Sequence, residues 1–246
     1  MLSYNQLAGA DAASARFHVR CSHAAPLSSQ PLGGLEFSYG HVSSHSSSMM
    51  PTLSTRRLVV RPFITEDLDD VYRLFDVELA DANLGMGKRG SLASRSEWLR
   101  WTVLNYEQLA NLHQPPYGDR AVVLSSTAEL VGSCGFVPCL NAFKQLPSLS
   151  GGDPLEGPGR YSTEFGLFYA TFPAHQRKGY ATEAAQAMIN YAFGQLQLSR
   201  IVATTEFENT GSIAVMRKLG MRIERNPLAE PPWLQVVGIL ENRRSA

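Results

Sequence analysis

The chain between residues 163 and 196 joins an apolar run to a helical pattern through one short, glycine-containing turn. The run Thr163–Ala170 (TEFGLFYA) is apolar on both faces, which predicts a strand in the interior of a sheet. After the turn, alanine, methionine and isoleucine recur at helical spacing up to about Leu196. A buried strand that leads directly into an amphipathic helix predicts an α/β chain whose sheet is covered by helices.

The turn itself, QRKGYA, places two cations and a glycine immediately before the helix. The Thr-Glu pair that follows fits the preference for a polar residue and an acid in the first helical turn. Arg177, Lys178 and Gly179 instead form a tight, positively charged entrance to the helix. Because the first N–H groups of a helix have no partner inside it, this entrance is suited to a phosphate group.

The rest of the chain from Arg57 onward shows further strand and helix patterns. Strands are predicted at Arg57–Phe63, twice within Ala121–Val137 as a hairpin, and at Arg200–Phe207 and Trp233–Leu240, and helices at Thr65–Phe75 with Thr65 as N-cap, Ser96–Leu112 and Gly211–Leu219. Residues 141–162 are rich in proline and glycine and are predicted to form a surface loop. The order β-α-α-β-β-β-α-β-α-β predicts a mixed sheet with helices on its faces.

Charge and cysteine content narrow the function classes. The 22 basic and 22 acidic residues balance, which argues against general binding to nucleic acid or to an anionic membrane. No apolar run approaches the roughly 20 residues that span a bilayer. Three cysteines without a Cys-x-x-Cys spacing favour a reducing compartment, with neither a disulfide framework nor a metal site. We therefore expect a cytoplasmic protein.

Residues 1–50 differ in composition from the rest of the chain. They contain no lysine, have Asp11 and Glu36 as their acids, and end in a serine-rich stretch. This composition predicts a disordered extension, followed by one folded domain at residues 51–246. A mitochondrial presequence at residues 1–48 remains an alternative, although Asp11 and the presence of only two arginines weaken it.

The segment from Glu164 to Met221 resembles the Gcn5-related N-acetyltransferases (GNAT). Three features match in order: QRKGYA followed by Thr-Glu-Ala, the Arg-Ile pair that opens the next strand, and Asn209 and Ser212 followed by Lys-Leu-Gly at residues 218–220. The sequence TRRLVVRPFITEDLDDVYRL also looks like the first strand and helix of the family. The similarity covers roughly residues 52 to 242, and the group that it most resembles comprises the ribosomal-protein acetyltransferases that modify protein N-termini.

The resemblance implies a GNAT fold, a central mixed sheet with one splayed strand pair and helices on both faces. It also implies an enzyme that transfers the acetyl group of acetyl-CoA to a primary amine by direct attack in a ternary complex. The acceptor would be a protein or peptide N-terminus or a small amine, and a monomer and a homodimer both stay open. A non-catalytic acyl-CoA-binding or interaction module with the same fold is the alternative.

The resemblance carries over to individual residues of the cofactor site. The residues expected to bind acetyl-CoA are Phe168, Tyr169, Ala170, Gln176, Arg177, Lys178, Gly179, Tyr180, Ala181, Thr182, Asn209 and Ser212. The backbone of residues 168–170 would face the pantetheine arm, Asn209 would hydrogen-bond this arm, and Ser212 would approach the sulfur. From the residues alone, Asn209 also fits a turn before a helix, and Ser212 fits a first helical turn.

The catalytic residues are less clearly marked. Many family members place a tyrosine that protonates the departing thiolate where this chain has Met216, and Met221 replaces a phenylalanine. These departures motivate the non-catalytic alternative, while Ser212 is the natural substitute for the missing acid. An α-amine has a pKa of about 8 and loses its proton more easily than lysine does. A modest base is therefore sufficient, and Glu164 and Glu206 are the candidates.

Overall fold

The computed structural model describes residues 51–82, 89–151 and 161–242 of the chain. The predicted extension at residues 1–50 lies outside this part. Eight strands form one sheet in the order β1-β2-β3-β4-β5-β6-β8-β7. They are β1 Leu53–Ser54, β2 Leu58–Pro62, β3 Gly118–Leu124, β4 Leu130–Asn141, β5 Ser162–Thr171, β6 Arg200–Thr205, β7 Arg222–Arg225 and β8 Val236–Glu241. All neighbouring strands are antiparallel except β5 and β6, which are parallel.

Four α-helices accompany the strands in the described residues: α1 Leu68–Tyr72, α2 Leu92–Asn111, α3 Tyr180–Gly194 and α4 Thr210–Lys218. A 3-10 turn at Thr65–Asp67 precedes α1, and a π-helical stretch at Arg73–Glu78 continues it. The mixed sheet and its helices confirm the predicted fold class.

Two helix starts differ from the prediction. Thr65 is not an N-cap, because it lies inside the 3-10 turn, where the Asp67 carboxylate accepts a hydrogen bond from the Ile64 N–H at 2.9 Å. Helix α2 begins at Leu92, four residues earlier than predicted, and the Ser91 hydroxyl accepts a hydrogen bond from the Ser94 N–H at 3.1 Å. In both places a side-chain acceptor satisfies an N–H group that the helix leaves unpaired.

The sheet has a different core on each face. On one face α3 and α4 pack on a cluster that includes Val122, Phe136, Leu167 and Ile201. On the other face the α1 and α2 region packs on a cluster of Phe63, Ala121, Val123, Phe168 and Ala170, among others. Side chains alternate along each strand, so consecutive residues of β3 and β5 contribute to opposite clusters.

The prediction of a surface loop at residues 141–162 is wrong for its first part. Phe143 and Leu146 are fully buried, and they pack with Val202, Val237 and Ile239 in a third cluster. The apolar residues of this segment cover β6 and β8 on the face that α1 and α2 leave uncovered. Residues 152–160 lie outside the described part of the chain.

No helix in the described ranges is both long and apolar enough to cross a membrane.

Candidate active site

Strands β5 and β6 separate soon after they meet. Their one bridge in the described residues pairs Gly166 with Val202. Beyond it, β5 continues to Thr171 along β4, whereas β6 continues to Thr205 along β8. The backbone of residues 167–171 therefore has no partner strand on its β6 side, and an open gap lies at the carboxyl end of the two parallel strands.

The turn between β5 and α3 has the conformation of an anion-binding loop. Arg177 and Gly179 both adopt left-handed backbone angles, with φ of 59° and 82°, and Gly179 is the N-cap of α3. Such left-handed residues direct successive N–H groups toward one side. Gln176 closes the turn, because its side chain donates a hydrogen bond to the Thr171 carbonyl at 3.2 Å. The predicted residues Gln176–Thr182 thus surround one helix N-terminus.

Arg57 of the β1–β2 region braces this turn from the side. Its Nε is 2.7 Å from Glu183 Oε2, and its Nη1 donates to the Lys178 carbonyl at 3.1 Å. Its guanidinium lies over the Tyr180 ring, 4.7 Å from the centroid. The Thr55 hydroxyl donates to the same carboxylate at 2.7 Å. Burial raises the pKa of Glu183, but the hydrogen bonds from Thr55 and Arg57 outweigh it and hold the pKa below its usual value.

The sequence did not single out Arg57. Its signal was the unusual pair of arginines directly before the first long strand, where a surface position is the ordinary interpretation. Only the fold brings this arginine to Lys178, which is more than one hundred residues away in the chain.

Asn209 and Ser212 lie at the N-terminus of α4, on the other side of the gap. Asn209 is the N-cap of α4, and its Oδ1 accepts a hydrogen bond from the Ser212 N–H at 3.0 Å. The Ser212 hydroxyl donates to the Tyr169 phenol oxygen at 3.2 Å, and the phenol donates to the Ser212 carbonyl at 3.1 Å. Tyr169 therefore links β5 to α4 through its side chain, which sequence reasoning had not foreseen.

Burial raises the pKa of the Tyr169 phenol to about 12, and its hydrogen bond with Ser212 offsets only part of this effect. The phenol is therefore protonated throughout the physiological pH range.

The two candidate bases occupy different ends of the strand pair. Glu164 precedes the bridge at Gly166, at the closed end, where it is 8% exposed. It accepts two hydrogen bonds from the Arg200 guanidinium, at 2.9 and 2.6 Å. Glu206 follows β6 at the open end and is half-buried, and its carbonyl accepts a hydrogen bond from the Asn209 N–H at 3.2 Å.

Met216 and Met221 belong to the core rather than to the gap. Both are buried in the α3 and α4 cluster. A Cβ placed on Gly238 of β8 would lie 3.0 Å from the Met216 sulfur and 2.9 Å from the Met221 sulfur. Both methionines therefore fill space over the glycine of β8, and their presence says nothing against catalysis in the gap.

A cavity of about 640 Å³ opens beside the turn and includes Gly179 and Thr182. Arg56 and Lys218 contribute cations to its wall, and Gln186 and Asn190 of α3 contribute amides. The cavity lies next to the predicted phosphate site rather than in the strand gap. In the described ranges, no group of three or more His, Cys, Asp or Glu residues could hold a metal ion.

Comparison with known proteins yields one consistent family. A sequence model described as acetyltransferase (GNAT) domain matches residues 57–222. The chain is similar to the uncharacterized N-acetyltransferase YnaD of Bacillus subtilis (strain 168), with 47% identity over 66 residues, which are 27% of this chain and 38% of the relative. The matched region thus spans well under two thirds of this relative's length, and 57% of the second curated relative.

Two solved structures share the fold. An acetyltransferase (GNAT family) from Bacillus anthracis has a TM-score of 0.56 and 21% identity, covering 78% of this chain and 99% of its own. RimL, a ribosomal L7/L12 alpha-N-protein acetyltransferase in complex with coenzyme A, has a TM-score of 0.52 and 12% identity, covering 77% of this chain and 96% of its own. At these identities the likeness shows the fold alone.

Proposed function

Because the chain belongs to the acetyltransferase (GNAT) domain family, we propose that it transfers the acetyl group of acetyl-CoA to a primary amine. The single observation that carries this proposal is the strand gap between β5 and β6, which opens directly onto the left-handed turn before α3. An unpaired strand edge and a helix N-terminus suit one elongated ligand with an amide-containing arm and a phosphate end.

The residues of the turn fit a pyrophosphate. Gly179 has a φ of 82°, a conformation that other residues adopt only with strain. A Cβ added to Gly179 would lie 3.4 Å from the Arg57 guanidinium, so the rest of the space beside this glycine is open to a ligand in the described residues. The backbone N–H groups from Arg177 to Ala181 would hold the phosphate oxygens, with the cations of Arg177 and Lys178 beside them. The neighbouring cavity, with Arg56 and Lys218 on its wall, would take the nucleoside end.

The strand gap fits the pantetheine arm. The backbone of residues 168–170 offers peptide groups without a partner strand on that side. The Asn209 Oδ1 already caps α4, and the two N–H groups of the Asn209 side-chain amide can donate to this arm. When bound, acetyl-CoA supplies an acetyl group that is activated as a thioester.

The departing sulfur needs at most weak help, since a thiol has a pKa of about 8 to 9. We assign this help to the Ser212 hydroxyl, which is hydrogen-bonded to the protonated Tyr169 phenol. The Ser212 hydroxyl would turn from the phenol to the thiolate and give it a proton. The phenol O–H would turn from the Ser212 carbonyl to the Ser212 hydroxyl oxygen, replace that proton and recover one from solvent. This assignment supplies a phenol although residue 216 is methionine.

The amine must lose a proton before it attacks. Glu206 lies at the open end of the strand pair, so we assign it as the group that accepts this proton, directly or through water. Glu164 lies at the closed end and is held by Arg200. We therefore assign Glu164 a structural role, because protonation would break a bidentate pair.

For the acceptor we propose the α-amine of a protein or peptide N-terminus, as in the ribosomal-protein group that the sequence resembles. The fold neighbour RimL, whose name includes alpha-N-protein acetyltransferase, supports this choice. A small primary amine is the alternative acceptor. We also propose that the protein is located in the cytoplasm.

The test is mass spectrometry of the protein with acetyl-CoA and a library of N-terminal peptides and small amines. Acetylated product supports the proposal. Tight acetyl-CoA binding without product across the library would instead indicate a non-catalytic acyl-CoA-binding module.

Two matched variants test the phosphate turn itself. Gly179→Glu and Gly179→Gln impose the same backbone strain and nearly the same bulk, but only the first adds a negative charge beside the proposed phosphate. We expect acetyl-CoA affinity, measured by calorimetry, to fall further in Gly179→Glu by roughly tenfold or more. Equal affinities in two folded variants would remove the phosphate from this turn.

A further inference from the structure

Asp119 and Arg120 are the charged residues of strand β3, and the proposed mechanism leaves Asp119 without a role. Ala121 and Val123, two and four residues further along the strand, belong to the α1 and α2 cluster. Alternation along the strand places the Asp119 side chain on the same face. No group in the described part of the chain hydrogen-bonds its carboxylate, although the Tyr106 hydroxyl donates to its backbone carbonyl. An unpaired, half-buried carboxylate is costly and is a candidate for a function.

A row across the sheet connects Asp119 to the strand gap. Asp119 lies opposite Gly135 of β4, and Gly135 lies opposite Phe168 of β5. Gly135 has no side chain, and a Cβ there would lie 2.6 Å from the Asp119 Cα. No side chain of the intervening strand therefore separates the carboxylate from Phe168, and the half-exposed Val137 is the next residue of β4 on this face.

No cation near Asp119 forms an ion pair with its carboxylate in the described residues. Burial raises the pKa of Asp119 from 3.8 to about 6, and the positive charge of Arg95 on α2 counters this effect only in part. Arg95 is already bound by Asp76, with Nε to Oδ2 at 2.6 Å and Nη2 to Oδ1 at 3.1 Å. Arg120, the next residue of β3, is a cation, but its guanidinium lies on the opposite face, over the Tyr191 ring of α3. Tyr106 of α2 and Cys134 of β4, the other titratable groups nearby, are not cations.

The face that carries Asp119 is the one to which the approach of the acceptor is assigned. On the opposite face, Leu167 and Ile201 belong to the packed α3 and α4 cluster. On the face of Asp119, Phe168 and Ala170 are buried as well, in the α1 and α2 cluster, whereas Asp119 and Val137 are half-buried. The acceptor would therefore approach over Gly135, between Asp119 and Val137.

We infer that Asp119 binds a second cationic group of the acceptor, so that the preferred substrates are amines with another positive charge some distance from the reacting nitrogen. This inference rests on the proposed acetyl transfer to an amine. Two strand spacings separate Asp119 from Phe168, which is about 10 Å. A carboxylate this far away is too distant to deprotonate the reacting amine directly, but it suits a second ammonium. Either a linear di- or polyamine or a peptide with a basic residue near its N-terminus supplies this chemistry.

Calorimetry with coenzyme A present tests the inference without turnover. Wild type, Asp119→Asn and Asp69→Asn are titrated with α,ω-diamines of increasing length and with the monoamines of equal length. A second arm compares peptides that carry lysine or norleucine at position two or three. Asp69 is an exposed carboxylate on α1 and serves as the control.

We expect wild type and Asp69→Asn to bind the dicationic ligand roughly tenfold more tightly than the monocation. In Asp119→Asn this preference should fall to about twofold or less, with affinity for the monocation unchanged. Preference in the diamine arm or in the peptide arm identifies the source of the second charge. The absence of any preference in wild type, or an equal loss for both ligand types in Asp119→Asn, would overturn the inference.

A pH series on the wild type keeps the test decisive if Asp119→Asn does not fold. The preference for the dication should disappear as the pH falls through about 6, while both amines stay fully charged. A preference that persists at pH 4.5 contradicts the role of Asp119. Turnover of monoamines is measured separately, so that failure of acetyl transfer and failure of the second cation site remain distinguishable.

Discussion

Tyr169 and Ser212 place a phenol and a hydroxyl together at the N-terminus of α4. The helix position at which related proteins carry a tyrosine holds Met216, which is 1% exposed and packs over the glycine of β8. A phenol nevertheless lies at the N-terminus of α4, because Tyr169 reaches it from β5. The sequence alone does not reveal the contact between Tyr169 and Ser212, because these two residues are 43 positions apart in the chain.

The proton relay predicts that Ser212→Ala and Tyr169→Phe lower kcat with little change in the affinity for acetyl-CoA. We expect a loss toward the low end of general-acid contributions, about 100-fold or less, because the thiolate is already a good leaving group. The double variant should be no slower than the slower single variant, since the two groups act as one unit. Thr210→Ala, in the same helical turn, is the control. A folded Ser212→Ala protein with wild-type kcat would make this serine a purely structural residue.

Asp119 makes a second prediction at the residue scale, for stability against pH. Its pKa is about 6 in the folded chain and near 3.8 when unfolded, so the folded state binds more protons between these values. Stability therefore falls as the pH rises from about 4 to about 6, by at most about 3 kcal/mol. Asp119→Asn should be more stable than wild type at pH 7 and similar near pH 4, by urea unfolding. A difference that does not vary with pH would show that the carboxylate is not desolvated.

At the scale of elements, the sequence predicted those whose pattern is local. Strand β5, helix α3 and the β3–β4 hairpin lie where their periodicity placed them, because burial on one or both faces fixes their apolar spacing. Strand β7 was missed, since it has four residues, two of them arginine, and lies at the sheet edge. The buried segment after β4 was missed because its glycines and prolines suggested exposure, whereas Phe143 and Leu146 decide its position.

The candidate site follows the same division. The turn of residues 176–182 was predictable because its helix, its glycine and its cations are contiguous. The brace from Arg57 and the position of Glu164 against Arg200 were not, since both depend on strands that meet only in the folded sheet.

At the scale of elements, we predict the effect of removing the Arg57 side chain that braces the turn. Arg57→Gln removes the contacts that fix the Lys178 carbonyl and the Glu183 carboxylate, so the turn should lose its alignment. We expect acetyl-CoA affinity to fall roughly tenfold, with a stability loss of about 1 kcal/mol or less because the pair is partly exposed. Arg100→Gln, an exposed arginine of α2, is the control for loss of charge.

The pair of Arg57 and Glu183 also predicts how the stability of the folded chain depends on pH. The pKa of Glu183 lies below 4.5 in the folded chain, so its stabilising contribution is present above that value and is lost as the pH falls through the lowered pKa. In Arg57→Gln this loss should shift to higher pH. Unchanged affinity and unchanged acid unfolding would show that the turn needs no brace.

At the scale of the whole molecule, the two faces of the sheet carry different elements. One face carries α3 and α4, whose N-termini flank the gap for the proposed cofactor. The other face carries α1, α2 and the buried segment after β4. The chemistry we propose therefore takes place at the sheet itself, where the two faces meet through the splayed strands.

At the scale of the whole molecule, we predict where the folded domain begins. Arg120 of β3 is fully buried, and its Nη1 donates to the Pro51 carbonyl at 3.0 Å. Its Nε and Nη2 find no hydrogen-bond partner in the described residues. Deleting residues 1–48 keeps Pro51, and we expect the melting temperature to stay within about 2 °C of wild type. Deleting residues 1–52 keeps β1 but removes the Pro51 carbonyl, which leaves a buried charge with one acceptor fewer.

Loss of that acceptor should cost about 1 to 3 kcal/mol, which lowers the melting temperature by roughly 2 to 12 °C in a chain of this size. Introducing Arg120→Met into the shorter chain should recover most of the loss, because the variant has no charge to satisfy. Differential scanning calorimetry of the four proteins measures each step. If deleting residues 1–48 lowers the melting temperature as much as deleting residues 1–52, the extension itself packs on the domain, and the folded unit begins earlier than residue 51.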